Sequence, residues 1–175
     1  VPVLAFCVVS GAFALACGLG HVVVVSYALA PEKGERNKSI VQYLYRAIQI
    51  GVILLAAGTV LGGVWANYSW GRFWAWDPKE TWALIALLGY LAVLHGRLMV
   101  WIRPFRLGVG AIAAFLLVIM AWYGVNFVLA AGLHSYGFGG GGAPYVFAVC
   151  LLDLAFAGYF SYLLQLFLTQ SAITC

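Results

Sequence analysis

The alternation of apolar and polar positions divides the chain into five long apolar runs joined by short polar connections. The runs cover about residues 2 to 29, 46 to 66, 80 to 100, 107 to 130 and 145 to 168. Each is long enough, at 1.5 Å of rise per residue, to cross ~30 Å of hydrocarbon. The pattern predicts an all-α integral membrane protein of about five transmembrane helices. Composition agrees: of 175 residues, 65% are hydrophobic and 8% are charged, roughly a third of the charged fraction of a soluble domain.

The net charge of +4 does not indicate nucleic acid, because the basic residues gather in two short connections and their flanks. Lys33, Arg36, Lys38, Arg46, Arg97, Arg103 and Arg106 fall on one side of the predicted bundle, and only Arg72 and Lys79 on the other. Such a bias places the basic connections on the cytoplasmic side. The connections near residues 66 to 79 and 131 to 143 then share the outer face. Cys7, Cys17, Cys150 and Cys175 stand singly, without Cys-x-x-Cys or paired spacing. This argues against a thiol oxidoreductase, a zinc site or a disulfide scaffold, and the lack of Cys-x-x-Cys-His argues against a c-type cytochrome. The chain opens as Val1-Pro2, without Met or a charged leader. We therefore expect a single transmembrane domain over 1–175 that is the C-terminal part of a longer protein.

Candidate chemistry concentrates between Trp65 and Ile85, which hold five of the seven tryptophans. Asp77, Pro78 and Glu80 are accounted for as a helix start: an N-cap, a proline at the first helical position and a capping-box glutamate. The tryptophans are not. Trp70, Trp74 and Trp76, with Arg72 and Lys79 beside them, offer wide apolar ring faces next to cations. Interfacial anchoring is one explanation of such a strip, and binding of a flat apolar ligand bearing acidic groups is another.

Three further residues carry polar chemistry. His95 lies about 15 residues into the third run, roughly 22 Å from its outer end, where an ionisable group is a functional candidate. His21 stands late in the first run at a similar depth and reads as a structural histidine satisfied by a neighbouring helix. Asp153 is the carboxylate inside a predicted span; it must be protonated or paired, with Asn126 or a tyrosine as the expected partner. On the outer side, Ala131 to Ala143 is uncharged and glycine-rich around His134, a composition that suits a linker or a loop lying close to a ligand.

Trp-Gly-x-x-Trp-x-Trp-Asp-Pro-Lys-Glu-Thr-Trp-Ala-Leu-Ile, from Trp70 to Ile85, resembles the tryptophan-rich (WWD) signature of the haem-handling proteins of cytochrome c biogenesis. Its Pro-Lys-Glu-Thr-Trp-Ala-Leu-Ile continuation resembles the CcsA/ResC branch of system II. Leu94-His95-Gly96-Arg97 is similar to the family's segment with a membrane-embedded histidine used in haem loading. Gly132-Leu133-His134-Ser135-Tyr136-Gly137 is similar to the segment whose histidine ligates haem iron from outside the membrane.

The resemblance implies that haem b is held as substrate against Trp70, Arg72, Trp74, Trp76, Asp77 and Lys79, with His95 on its route. It implies His134 as an axial iron ligand. The family's other external histidine has no counterpart between Val1 and Trp65, so it is expected upstream of Val1 or on a partner. The implied activity is presentation of haem to the Cys-x-x-Cys-His motif of apocytochrome c, as part of a holocytochrome c synthase (haem lyase) that forms thioether bonds. A ResB/CcsB-type membrane subunit, separate or fused, is the implied partner. The implied location is the bacterial inner (cytoplasmic) membrane, or alternatively the thylakoid membrane, with the strip and His134 on the outer side. Two other readings remain open: a haem exporter without ligation activity, and a structural subunit anchored by its tryptophans.

Overall fold

The structure is a computed structural model that describes residues 2–29, 34–129 and 142–173, with side-chain burial for 8–29, 38–129 and 142–170. Among these the only regular secondary structure is helix. The helices are α1 (Pro2–Leu29), α2 (Gly34–Trp70), α3 (Pro78–Leu98), α4 (Pro104–Ile119) and α5 (Ala143–Ile173), with α4 continuing as a π-helical segment over Met120–Leu129. Five helical stretches are long and apolar enough to cross a membrane. The multi-pass all-α architecture expected from the hydrophobic pattern is therefore present.

Helix packing in hydrocarbon gains nothing from removing apolar surface from water, so close backbone approach and buried hydrogen bonds decide which helices touch. α1 and α4 meet at a pair of glycines. A Cβ on Gly20 would lie 2.9 Å from the Gly108 carbonyl oxygen, and one on Gly108 would lie 2.8 Å from the Gly20 carbonyl oxygen. Only two residues without side chains allow that crossing. α2 closes on α1 where the Phe13 ring covers Gly51. Tyr90 of α3 is fully buried in the same core, stacked on Phe13 at 4.2 Å between ring centroids, with its hydroxyl donating to the Ala111 carbonyl at 3.4 Å. The tyrosine thus fills the core with its ring and meets its polar demand across the α3–α4 contact.

Helix boundaries differ from the apolar pattern, most of all in α2, which already begins at Gly34 in the polar connection before the expected run from 46. α2 continues past residue 66 to Trp70, because the helix ends where backbone geometry stops it and not where hydrophobicity fades. Gly71, at φ 71°, supplies the left-handed residue after the last turn, and its N–H donates to the Asn67 carbonyl at 3.0 Å. α4 widens into π geometry around Gly124, which turns the buried Asn126 side chain toward the start of α3. π-helical turns are uncommon and concentrate at functional sites. α5 packs lightly, against α1 and α4, and most of its surface is exposed.

Candidate haem-contact strip

The segment between α2 and α3 is built around one carboxylate. Asp77 caps α3 by accepting from the Lys79 N–H at 3.2 Å, Pro78 opens the helix, and Glu80 reaches back to the Asp77 N–H at 3.3 Å. This is the expected capping box. Glu80 goes further than a capping residue must, because the same Oε2 accepts from the Ala75 N–H at 2.8 Å. The residue between those two N–H groups is Trp76. With its neighbours held on both sides, Trp76 takes the left-handed conformation at φ 56°, and the Thr81 hydroxyl donates to its carbonyl at 3.4 Å. A non-glycine residue there costs on the order of 1–3 kcal/mol and persists only where its surroundings over-determine it. The result is an indole pushed outward, 69% exposed.

The tryptophans form two pairs, not one strip. Trp70, at the end of α2, lies edge-on to Trp65 at 5.0 Å, and Trp74 lies edge-on to Trp76 at 5.8 Å. Phe73, between them, folds back over Gly63 of α2 and fixes the path of the segment against that helix. Trp74 is partly covered, and its indole Nε1 is buried with no hydrogen-bond partner, the one such side-chain atom among the described residues. Native structures rarely leave a buried donor unmatched, so this N–H is the unsatisfied donor of the segment.

The two cations of this face differ. Arg72 is exposed beside the aromatic pairs. Lys79 is half-buried and donates from Nζ to Asn126 Oδ1 at 3.4 Å, tying the start of α3 to the π-helical end of α4. His95 lies one turn from the other end of α3, exposed, with Nδ1 2.8 Å from the Leu91 carbonyl oxygen. That oxygen can only accept, so Nδ1 carries the proton and Nε2 keeps the lone pair of the neutral ring. His134 lies outside the described residues.

The structure corrects the expected pairing of Asp153. Its Oδ1 lies 3.0 Å from His21 Nε2, while Asn126 is engaged by Lys79. The contact joins α1 to α5 across 132 residues of sequence. Sequence reading also missed the second hydrogen bond of Glu80 and the strained backbone of Trp76.

A bundle of apolar helices with one connection that displays an exposed indole at the bundle end defines the class as a multi-pass membrane protein. The chain belongs to the Cytochrome C assembly protein family, whose model matches residues 4–134. It is 44% identical over 124 residues to "Cytochrome c biogenesis protein CcsA" of Synechococcus sp. (strain CC9311), covering 71% of this chain and 40% of that protein. It is 51% identical over 107 residues to the protein of the same name from Prochlorococcus marinus (strain MIT 9312), covering 61% of this chain and 34% of that protein. A third, from Synechococcus sp. (strain WH7803), is 41% identical over 135 residues, covering 73% and 42%. The chain thus spans about two fifths or less of the length of these relatives.

Proposed function

We propose that this chain is the haem-presenting part of a cytochrome c maturation protein, and that Trp70, Trp74 and Trp76 form the wall against which haem b is held as substrate. The observation that carries this reading is the clamped Trp76 beside the buried, unmatched Nε1 of Trp74. A porphyrin brings a broad apolar plate, which suits exposed indole faces, and two propionates, which can accept from an indole N–H and pair with Arg72. On this reading Asp77 and Lys79 act mainly through position: Asp77 holds the start of α3, and Lys79 ties it to Asn126.

His134 supplies one axial ligand to the haem iron, and a histidine upstream of Val1 supplies the other. The bound haem is offered to the Cys-x-x-Cys-His motif of apocytochrome c. Each cysteine S–H adds across a haem vinyl group: the sulfur bonds one vinyl carbon and the proton ends on the other, so the ligation itself consumes no oxidant or reductant. The protein's contribution is binding and orientation. A ResB/CcsB-type subunit completes the synthase in the bacterial inner membrane or the thylakoid membrane, with the strip on the outer side.

One observation favours transport as an additional role. His95 stands exposed toward the basic end of α3 with the lone pair of Nε2 available, a suitable transient ligand for haem moving outward. The test is haem content per protein in membranes. Replacing Trp70, Trp74 and Trp76 together by Ala should lower it while insertion stays normal, and unchanged haem content would overturn the assignment. His95→Ala should lower loading in cells but not the affinity of the purified protein for added haem.

A further inference from the structure

The second polar centre of the molecule lies away from the tryptophan pairs, where α1 meets α5. His21 Nδ1 is 2.9 Å from the Cys17 carbonyl oxygen, and His21 Nε2 is 3.0 Å from Asp153 Oδ1. Cys17 Sγ lies 3.8 Å from Nδ1. One ligating atom from each of the three side chains falls within 4.8 Å of the other two, and no other such group occurs among the described residues. Cys17 is buried, while His21 and Asp153 are half-buried. Phe156 packs on the imidazole at 4.6 Å between centroids and limits how far the ring can turn.

The hydrogen bonds fix where the protons are. The Cys17 carbonyl can only accept, so Nδ1 bears a hydrogen. Nε2 and a carboxylate oxygen cannot face each other at 3.0 Å without a proton between them. The His21–Asp153 pair therefore holds one shared proton and no net charge, which suits apolar surroundings. With the Cys17 thiol, the cluster has two protons that a divalent ion can displace.

We propose that Cys17, His21 and Asp153 form a binding site for a borderline divalent transition ion of the zinc(II) class. The single-cysteine spacing argues against a zinc site in the sequence, but the fold adds a carboxylate from a helix 132 residues away from His21. A thiolate, an imidazole nitrogen and a carboxylate oxygen are the ligand types such ions take, at about 2.0–2.3 Å each. Ligands at those lengths in a tetrahedron are about 3.3–3.8 Å apart, and the three side chains already offer one ligating atom each within 4.8 Å of one another. The Nδ1–H to carbonyl bond is the outer-sphere contact that orients metal-bound histidines and leaves Nε2 to ligate. Charge also balances. Binding releases the thiol proton and the shared proton, and the ion's two positive charges meet one thiolate and one carboxylate, so the site is neutral before and after. Three protein ligands leave one position for an added ligand. The ion would pin α5, which otherwise packs lightly, to α1.

The test uses the complete protein purified in detergent, stripped with a chelator and titrated with cobalt(II), read as a difference spectrum against the same sample before addition. The site predicts a thiolate-to-cobalt charge-transfer band in the near ultraviolet, tetrahedral bands in the visible, and competition by zinc(II) at one ion per chain. Cys17→Ser should abolish the charge-transfer band. Asp153→Asn, whose amide can still donate to His21 Nε2, should keep the metal-free melting temperature while weakening metal affinity at least tenfold. No cobalt spectrum in the parent, or the same spectrum and affinity in both variants, would show a hydrogen-bonded clamp only and overturn the proposal.

Discussion

The two ends of α3 solve the same backbone problem in different ways. Each connection contains a non-glycine residue in the left-handed region, Trp76 at φ 56° and Val100 at φ 62°. Each exposes an indole, Trp76 at one end and Trp101, 73% exposed, at the other. At the Val100 end backbone bonds do most of the closing: Met99 N–H donates to the His95 carbonyl, Val100 N–H to the Arg97 carbonyl and Ile102 N–H to the Gly96 carbonyl, at 2.9, 3.1 and 2.9 Å, and the Arg97 guanidinium adds one side-chain bond to the Ile102 carbonyl at 3.2 Å. The Ile102 side chain lies over Gly96. At the Trp76 end side chains do the closing, chiefly Glu80 with its two N–H donors and Asp77 with one. Exposure of an indole therefore does not by itself distinguish the two ends. What differs is that two carboxylates, Glu80 and Asp77, hold the backbone at the Trp76 end, while the Val100 end relies on backbone bonds and the single Arg97 side chain.

The largest effect should come from Glu80→Ala. It strands the Ala75 and Asp77 N–H groups together, and we expect a loss of roughly 2–3 kcal/mol, seen as a lower thermal midpoint in detergent by size-exclusion analysis after heating. Glu80→Gln keeps an acceptor oxygen and should fall between Ala and the parent. Asp77→Ala removes one cap and should cost about 1 kcal/mol, again as a lower midpoint. At the other end the sign reverses. Val100→Gly relieves a β-branched residue from positive φ and should raise the midpoint, by up to about 1 kcal/mol. The smallest change is expected for Gly96→Ala, whose Cβ would meet Ile102 Cδ1 at 2.5 Å and Cγ1 at 2.8 Å. That side chain must turn to make room, an off-rotamer adjustment, so the midpoint should drop by about 0.5 kcal/mol. If Glu80→Ala and Val100→Gly moved the midpoint in the same direction, the contrast between the two ends would be wrong.

Much of this was legible in the sequence because it rests on local signals. Five apolar runs give five helices, and Asp77-Pro78-x-Glu80 gives the capping box, since both follow from residue spacing within a few turns. Both ends of α2 were misread, because the apolar pattern marks the run from 46 to 66 while the helix begins in the polar stretch at Gly34 and continues through Asn67 and Tyr68 until Gly71 stops it. The left-handed Trp76 was hidden, because its φ depends on a side chain reaching back five residues to Ala75. The His21–Asp153 pair was hidden for a longer-range reason. It joins two helices 132 residues apart, and no local spacing carries which helices pack together. Lys79 read as a cation of the outer face, but the π-helical end of α4 brings Asn126 within its reach.

Trp76→Gly tests the account most directly, because it removes the displayed indole and the backbone strain together. Glycine adopts positive φ without penalty, so the clamp made by Glu80 should survive with less strain. Thermal midpoint and haem-to-protein ratio are to be measured on the same purified sample. The account predicts a midpoint equal to or above the parent's and a reduced haem ratio. A lower midpoint with haem falling in proportion would make Trp76 a structural residue, and an unchanged haem ratio would contradict its place in the binding wall.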